Sequence, residues 1–248
     1  IRDQPRSRGL GDVYKRQNMA RLAEKLIDEG KNKKAKEVLD LAVQKMPLDY
    51  FGYYSLVVPM IDTYYRLGAV ESAQQLAVKV GEKYRDEMEY FSSLKPSEQY
   101  PLGEEIITQA ERYRTLMEAV LVNKDKILLA KSLNQFIEAI TPFVNLYGEY
   151  DFYTSLSMFV EGYYLAGEQV KAKNLIEDIV QQYEERFSMI ASFPQSNLDR
   201  VFDRIKEEIL DFQQMIHLVK NFDQDFADSL QLRFDKSMSQ FKLDEKDD

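Results

Sequence analysis

The sequence predicts an all-α fold of stacked antiparallel helix hairpins, and three observations predict it. Helix breakers are scarce, with 10 Gly and 7 Pro in 248 residues, and Ala, Leu, Glu and Lys are abundant. Apolar residues recur at the helical spacing i, i+3, i+4, i+7 through most of the chain. One hairpin pattern, residues 61–94, returns at 160–193.

The first clear stripe is Met19, Leu22, Ala23, Leu26 and Ile27, one apolar face of a helix expected over 18–29 and ended by Gly30. The next is Ala35, Val38, Leu39, Ala42, Val43 and Met46, a helix over 32–46 closed by Pro47. So short a Gly-containing turn forces the two helices to pack antiparallel. Further helices are expected near 53–67, 70–91, 103–123, 125–147, 151–166, 168–190, 198–220 and 223–240, with Pro142 starting a new turn or kinking the sixth. The inward stripe of 70–91 is Ala73, Leu76, Ala77, Val80 and Tyr84. Residues 160–193 align to 61–94 without a gap. Tyr64/Tyr163, Tyr65/Tyr164, Gly68/Gly167, Ala73/Ala172, Leu76/Leu175, Tyr84/Tyr183 and Ser93/Ser192 are identical, which suggests an internal duplication.

Met19, Leu22, Ala23, Leu26, Ala35, Leu39 and Pro47 follow the tetratricopeptide pattern W-x2-L-G-x2-Y…A-x3-F…P, in which small residues let paired helices approach. The expected architecture is therefore tetratricopeptide-like but irregular, with longer, bundle-like helices in the second half. Two helical-repeat units are expected, 18–148 and 149–240, then a charged tail at 241–248.

Residues 1–17 stand apart. Their Asp12-Val-Tyr-Lys-Arg-Gln17 is what GAT GTG TAT AAG AGA CAG encodes, which looks like a transposase mosaic-end sequencing adapter, so 1–17 is read as a non-native scar. The segment carries +3 of the formal −9, leaving −12 on the remainder and implying a gene cut from something longer.

The absence of cysteine excludes disulfides and thiolate zinc sites. A single histidine, His217, excludes multi-His metal sites, and a side-chain hydrogen bond on a helix flank is its expected role. No cofactor, metal or catalytic set is expected: phosphate-loop, dinucleotide, zincin and nucleophile-elbow motifs are all missing. Asp49, Asp62, Asp151 and Glu161 lie near aromatic clusters but read as a solvated face. The acidic balance argues against nucleic acid and anionic membrane surfaces as partners. No apolar run reaches the ~20 residues that cross a bilayer, so the chain as written is expected to be soluble.

The one suggestive constellation is aromatic: Tyr50–Tyr54, Tyr64-Tyr65, Tyr147–Tyr153 and Tyr163-Tyr164. Tyr53, Tyr54, Tyr64, Tyr153 and Tyr163 are the candidate wall of a concave partner groove for a protein or peptide. Packing between repeats is the competing reading, and the favoured one for Tyr64 and Tyr163.

Asn18–Gly30, Ala35–Asp40 and Lys45–Tyr54 resemble the C-terminal soluble region of a family of bacterial multi-spanning membrane proteins of unknown function. The spanning part of that family is similar to protein O-mannosyltransferases. The resemblance covers residues 18–248. It implies a non-catalytic accessory region whose parent is embedded in the inner membrane through an absent N-terminal part, with this region periplasmic. The family's spanning helices and acidic catalytic loop have no counterpart here, so no catalytic residue carries over. The alternative is a free-standing tetratricopeptide-type adaptor.

Overall fold

The computed structural model describes residues 5–48, 56–193 and 195–241, with side chains described from Tyr14 onward and outside 194–205. Among these residues every regular element is helical. The chain divides into two compact units, Ile1–Leu146 and Tyr147–Asp248.

Unit 1 holds α1 (Pro5–Asp28), α2 (Asn32–Lys45), α3 (Val58–Arg66), α4 (Val70–Ser93), α5 (Gly103–Val122) and α6 (Lys126–Ile140). They pair as hairpins α1–α2, α3–α4 and α5–α6, and α4 packs against both α5 and α6. Unit 2 holds α7 (Glu149–Ser155), α8 (Phe159–Leu165), α9 (Gln169–Ala191), α10 (Gln195–Lys220) and α11 (Gln224–Met238). Here α8–α9 and α10–α11 are hairpins, and α9 packs against α7, α10 and α11.

One turn chemistry builds the α3–α4 and α8–α9 hairpins. At Gly68 (φ 71°) the Gly68 N–H reaches Tyr65 O at 2.8 Å and the Ala69 N–H reaches Tyr64 O at 2.9 Å. Gly167 (φ 80°) repeats both bonds, to Tyr164 O and Tyr163 O. This left-handed turn satisfies the last carbonyls of the first helix and reverses the chain at once. Five residues beyond each glycine a fully buried alanine, Ala73 or Ala172, lets the paired backbones close. The α5–α6 turn has the same bonds with Lys124 at φ 51°, where a side chain costs about 1–2 kcal/mol.

The correspondence between the two halves extends well past residue 193. In unit 1 the Tyr84 and Tyr113 rings stack at 5.6 Å and 25°, and Phe136 meets Tyr113 edge-on at 5.0 Å and 79°. In unit 2 Tyr183 and Phe212 stack at 5.7 Å and 22°, and Phe234 meets Phe212 edge-on at 5.3 Å and 87°. Helices α3–α4–α5–α6 therefore match α8–α9–α10–α11 around the same three-ring spine. One residue is dropped from the α10–α11 turn, opposite the strained Lys124. All six rings are buried, so truncating one, as in Phe136→Ala, removes about 3–5 kcal/mol.

Several boundaries differ from expectation. α1 begins at Pro5 and runs through the segment set aside as a scar, because proline suits a helix's first turn and extending a formed helix costs little. Arg16, 2% exposed, donates to the carbonyls of Met46 (2.8 Å) and Pro47 (3.4 Å) at the end of α2. The buried face of α1 carries Ala20 and Ala23, while the expected core residue Leu22 is 49% exposed. The helix expected over 125–147 ends at Ile140, and Pro142 sits in a 3-10 turn at Thr141–Phe143. The helix expected over 151–166 is broken between Ser155 and Phe159, where the Thr154 and Ser155 hydroxyls donate back to the carbonyls of Tyr150 and Phe152. Residues 53–55 of the expected third helix lie outside the described residues.

Candidate functional site

One side of α4 carries Val78, Glu82, Arg85, Glu89 and Ser92, at spacings that keep them in line along the helix. Lys131, Ser132, Gln135, Glu138 and Pro142 stand opposite, on α6 and the turn that follows it. Between them runs a groove with a narrow recess of about 50 Å³ and an open stretch of about 360 Å³. The recess holds a few waters at most, so the groove suits a segment laid along it better than an enclosed metabolite.

The phenol of Tyr113 lines the recess. Burial pushes it up to about 12, against the opposing effect of the Arg85 guanidinium, so it stays protonated and can donate or accept. Arg85 is half-buried and, among the described residues, has no carboxylate within ion-pair distance. The same holds for the Lys131 ammonium, and the Glu89 and Glu138 carboxylates have no cationic partner among those residues. Arg85 lines both stretches, with Lys131 and Glu82 on the recess side of it and Glu89 and Glu138 on the open side.

Unit 2 places different groups at the same positions. Glu177, Glu184 and Arg233 occupy the places of Val78, Arg85 and Gln135. Arg233 on α11 grips Glu184 on α9 through two parallel bonds, Nε to Oε1 at 2.9 Å and Nη2 to Oε2 at 2.7 Å, and also donates to Glu177. These carboxylates, Glu184 first, hold its guanidinium even further toward the charged form. A planar guanidinium fork facing a carboxylate is the strongest polar clasp two side chains make. The framework that is clasped in unit 2 is open in unit 1.

The aromatic candidates have other positions. Tyr64 is buried in α3, its hydroxyl donating to Asp40 Oδ1 at 2.9 Å, and burial with that contact holds its phenol protonated. Tyr163 is likewise buried in α8. Both pack between helices and do not form an exposed wall. Tyr153 is half-buried on α7, edge-on to Phe152 at 5.4 Å, its phenol raised by burial and then by Asp178 and Glu149. Tyr53 and Tyr54 lie outside the described residues. The His217 side chain makes none of the hydrogen bonds expected of it among the described residues; only its carbonyl accepts, from Asn221.

Two polar clusters hold helices together. Asp125 caps α6 by accepting from Leu128 N–H at 3.0 Å, and also accepts from Tyr65 Oη at 2.9 Å and Gln74 Nε2 at 2.8 Å. In unit 2 the buried Glu208 of α10 pairs with Arg186 of α9 at 2.9 Å, and Tyr150 of α7 lies 4.4 Å beneath that guanidinium. Burial raises the Glu208 carboxyl, while Tyr150 and Arg186 act the other way. Among the described residues no three His, Asp or Glu side chains converge as metal ligands, and no helix is long and apolar enough to cross a membrane.

No family model matches the chain, and neither a curated protein nor a solved structure matches it. The second unit is therefore the most informative comparison for the first. Arg85, Lys131 and Gln135 escaped the sequence reading. The signal that finds them is the internal alignment, which pairs Arg85 with Glu184 and, continued across the one-residue gap at Lys124, Gln135 with Arg233 and Glu138 with Lys236.

Proposed function

We propose that this chain is a non-catalytic, tetratricopeptide-like interaction module that takes an extended polypeptide segment in the groove between α4 and α6. The observation that carries the reading is the uncommitted Arg85, where the equivalent position in unit 2 is filled by the Arg233 clasp. Groups left unpaired along a groove between helices are available to a partner. The proposal includes the role implied by the family resemblance, an accessory region presenting polypeptide to a membrane-bound, protein O-mannosyltransferase-like parent on the periplasmic side. A free-standing adaptor is the alternative, and the DNA upstream of the Asn18 codon separates them, since the parent reading requires in-frame hydrophobic spans there.

The binding test is selection from an unbiased displayed-peptide library on the purified chain, followed by hydrogen exchange of the complex. Protection confined to α4 and α6 is expected. The triple variant Val78→Glu, Arg85→Glu, Gln135→Arg installs unit 2's clasp in unit 1 and should abolish binding while the helical circular-dichroism signal persists. Selected peptides that bind this variant undiminished would overturn the reading.

A further inference from the structure

Resting on that peptide-binding reading, we propose that the groove selects a segment carrying one acidic and one basic side chain two residues apart. On α4, Arg85 precedes Glu89 by one helical turn, and on α6, Lys131 precedes Glu138. The recess joins Val78–Arg85 to Lys131–Gln135 and the open stretch joins Arg85–Ser92 to Gln135–Pro142, so the two helices run the same way past the groove. The recess side carries Arg85 and Lys131 against Glu82, a balance of +1, and the open side carries Glu89 and Glu138, a balance of −2. The groove is polarised along its length.

Four residues of helix rise about 6 Å. In an extended segment, alternate side chains point the same way and stand about 6.4–6.8 Å apart. An acidic side chain at one position and a basic one two residues along thus meet Arg85 and Glu89 together. The clasp of Glu184 by Arg233 shows how this framework holds a carboxylate on a guanidinium, and a ligand carboxylate on Arg85 forms the same fork with the roles of the helices exchanged. Gln135 and Ser132, midway along α6, offer hydrogen bonds to the segment's backbone. A doubly acidic segment meets repulsion at Glu89 and Glu138, and a doubly basic one at Arg85 and Lys131.

The experiment measures fluorescence anisotropy of short labelled peptides, identical except for an acidic/basic, acidic/acidic or basic/basic pair two residues apart. The mixed pair should bind at least about tenfold more tightly than either like pair, with the advantage shrinking as salt is raised. Arg85→Glu with Lys131→Glu should invert the order in favour of the basic/basic peptide. Arg85→Gln, a milder change that leaves Lys131 in place, should narrow the gap between the mixed pair and the basic/basic one. Equal affinity for all three peptides, in the native chain or in the charge-reversed variant, would overturn the charge-pair inference and leave peptide binding standing. Failure of every peptide, including those from the unbiased library, would overturn the binding reading itself.

Discussion

Asp125→Ala is expected to cost about 3 kcal/mol. The carboxylate is 8% exposed and serves three donors at once: the Leu128 N–H at the start of α6, the Tyr65 phenol from α3 and the Gln74 amide from α4. Loss of a helix cap costs about 1 kcal/mol. Each hydrogen bond to a charged acceptor adds about 1.5 kcal/mol when fully buried, and roughly 1 when, as here, the donors are half-buried. Urea titration followed by circular dichroism measures the change. With a slope near 2 kcal/mol/M, the midpoint of unit 1 should fall by roughly 1.5 M. Asp125→Asn keeps a capping acceptor and should lose about half as much. A cycle pairing Asp125→Ala with Tyr65→Phe should return a coupling of about 1 kcal/mol. A loss under about 0.5 kcal/mol for Asp125→Ala, or no coupling to Tyr65, would refute the role given to this carboxylate in tying the two hairpins together.

Lys124→Gly should stabilise unit 1 by about 1 kcal/mol by relieving φ 51°, whereas Gly68→Ala should destabilise it by about 1–2 kcal/mol from backbone strain alone, an added Cβ meeting nothing within 4 Å; urea midpoints check both. Tyr183→Phe should be neutral or stabilising by up to about 1 kcal/mol, because its buried hydroxyl has no hydrogen-bond partner among the described residues, and a loss above that size would disprove the assignment. The melting temperature should rise as pH falls from neutrality toward the ordinary carboxylate range. Burial raises Glu87, Asp178, Glu208 and Asp211, so the fold takes up these protons before the unfolded chain does and gains stability. Below that range the trend reverses as Glu29 and Asp223, lowered by Lys31 and Lys173, lose their charges through their depressed values. A melting temperature that drops steadily from neutral pH would contradict this sign.

Much of the fold was legible because local rules set it. The α4 stripe Ala73, Leu76, Ala77, Val80 and Tyr84 is buried throughout, and the turns at Gly30, Gly68 and Gly167 fall at left-handed glycines. What the sequence hid depends on contacts far along the chain. The upstream part of α1 has no apolar period, and its Arg16 is held by carbonyls some thirty residues away. Leu22 fits the helical period yet faces solvent, since the small Ala20 and Ala23 make the close approach to α2 instead. The break before Phe159 interrupts an apolar pattern, Phe152, Leu156, Phe159 and Val160, that runs through it at helical spacing. The tyrosines drew attention because side-chain type is visible in sequence while burial is not. The groove residues are ordinary charged helix positions, distinguished only by what their counterparts in the other unit do.

Arginine Nε–H signals in nuclear magnetic resonance test the contrast between the units most directly. The Arg233 Nε–H should exchange slowly and resist added salt, and the Arg85 Nε–H should exchange rapidly until a peptide bearing a carboxylate is added, then become protected. An Arg85 signal already as protected as that of Arg233 in the free chain would mean that unit 1 is clasped like unit 2, and there would be no open groove to fill.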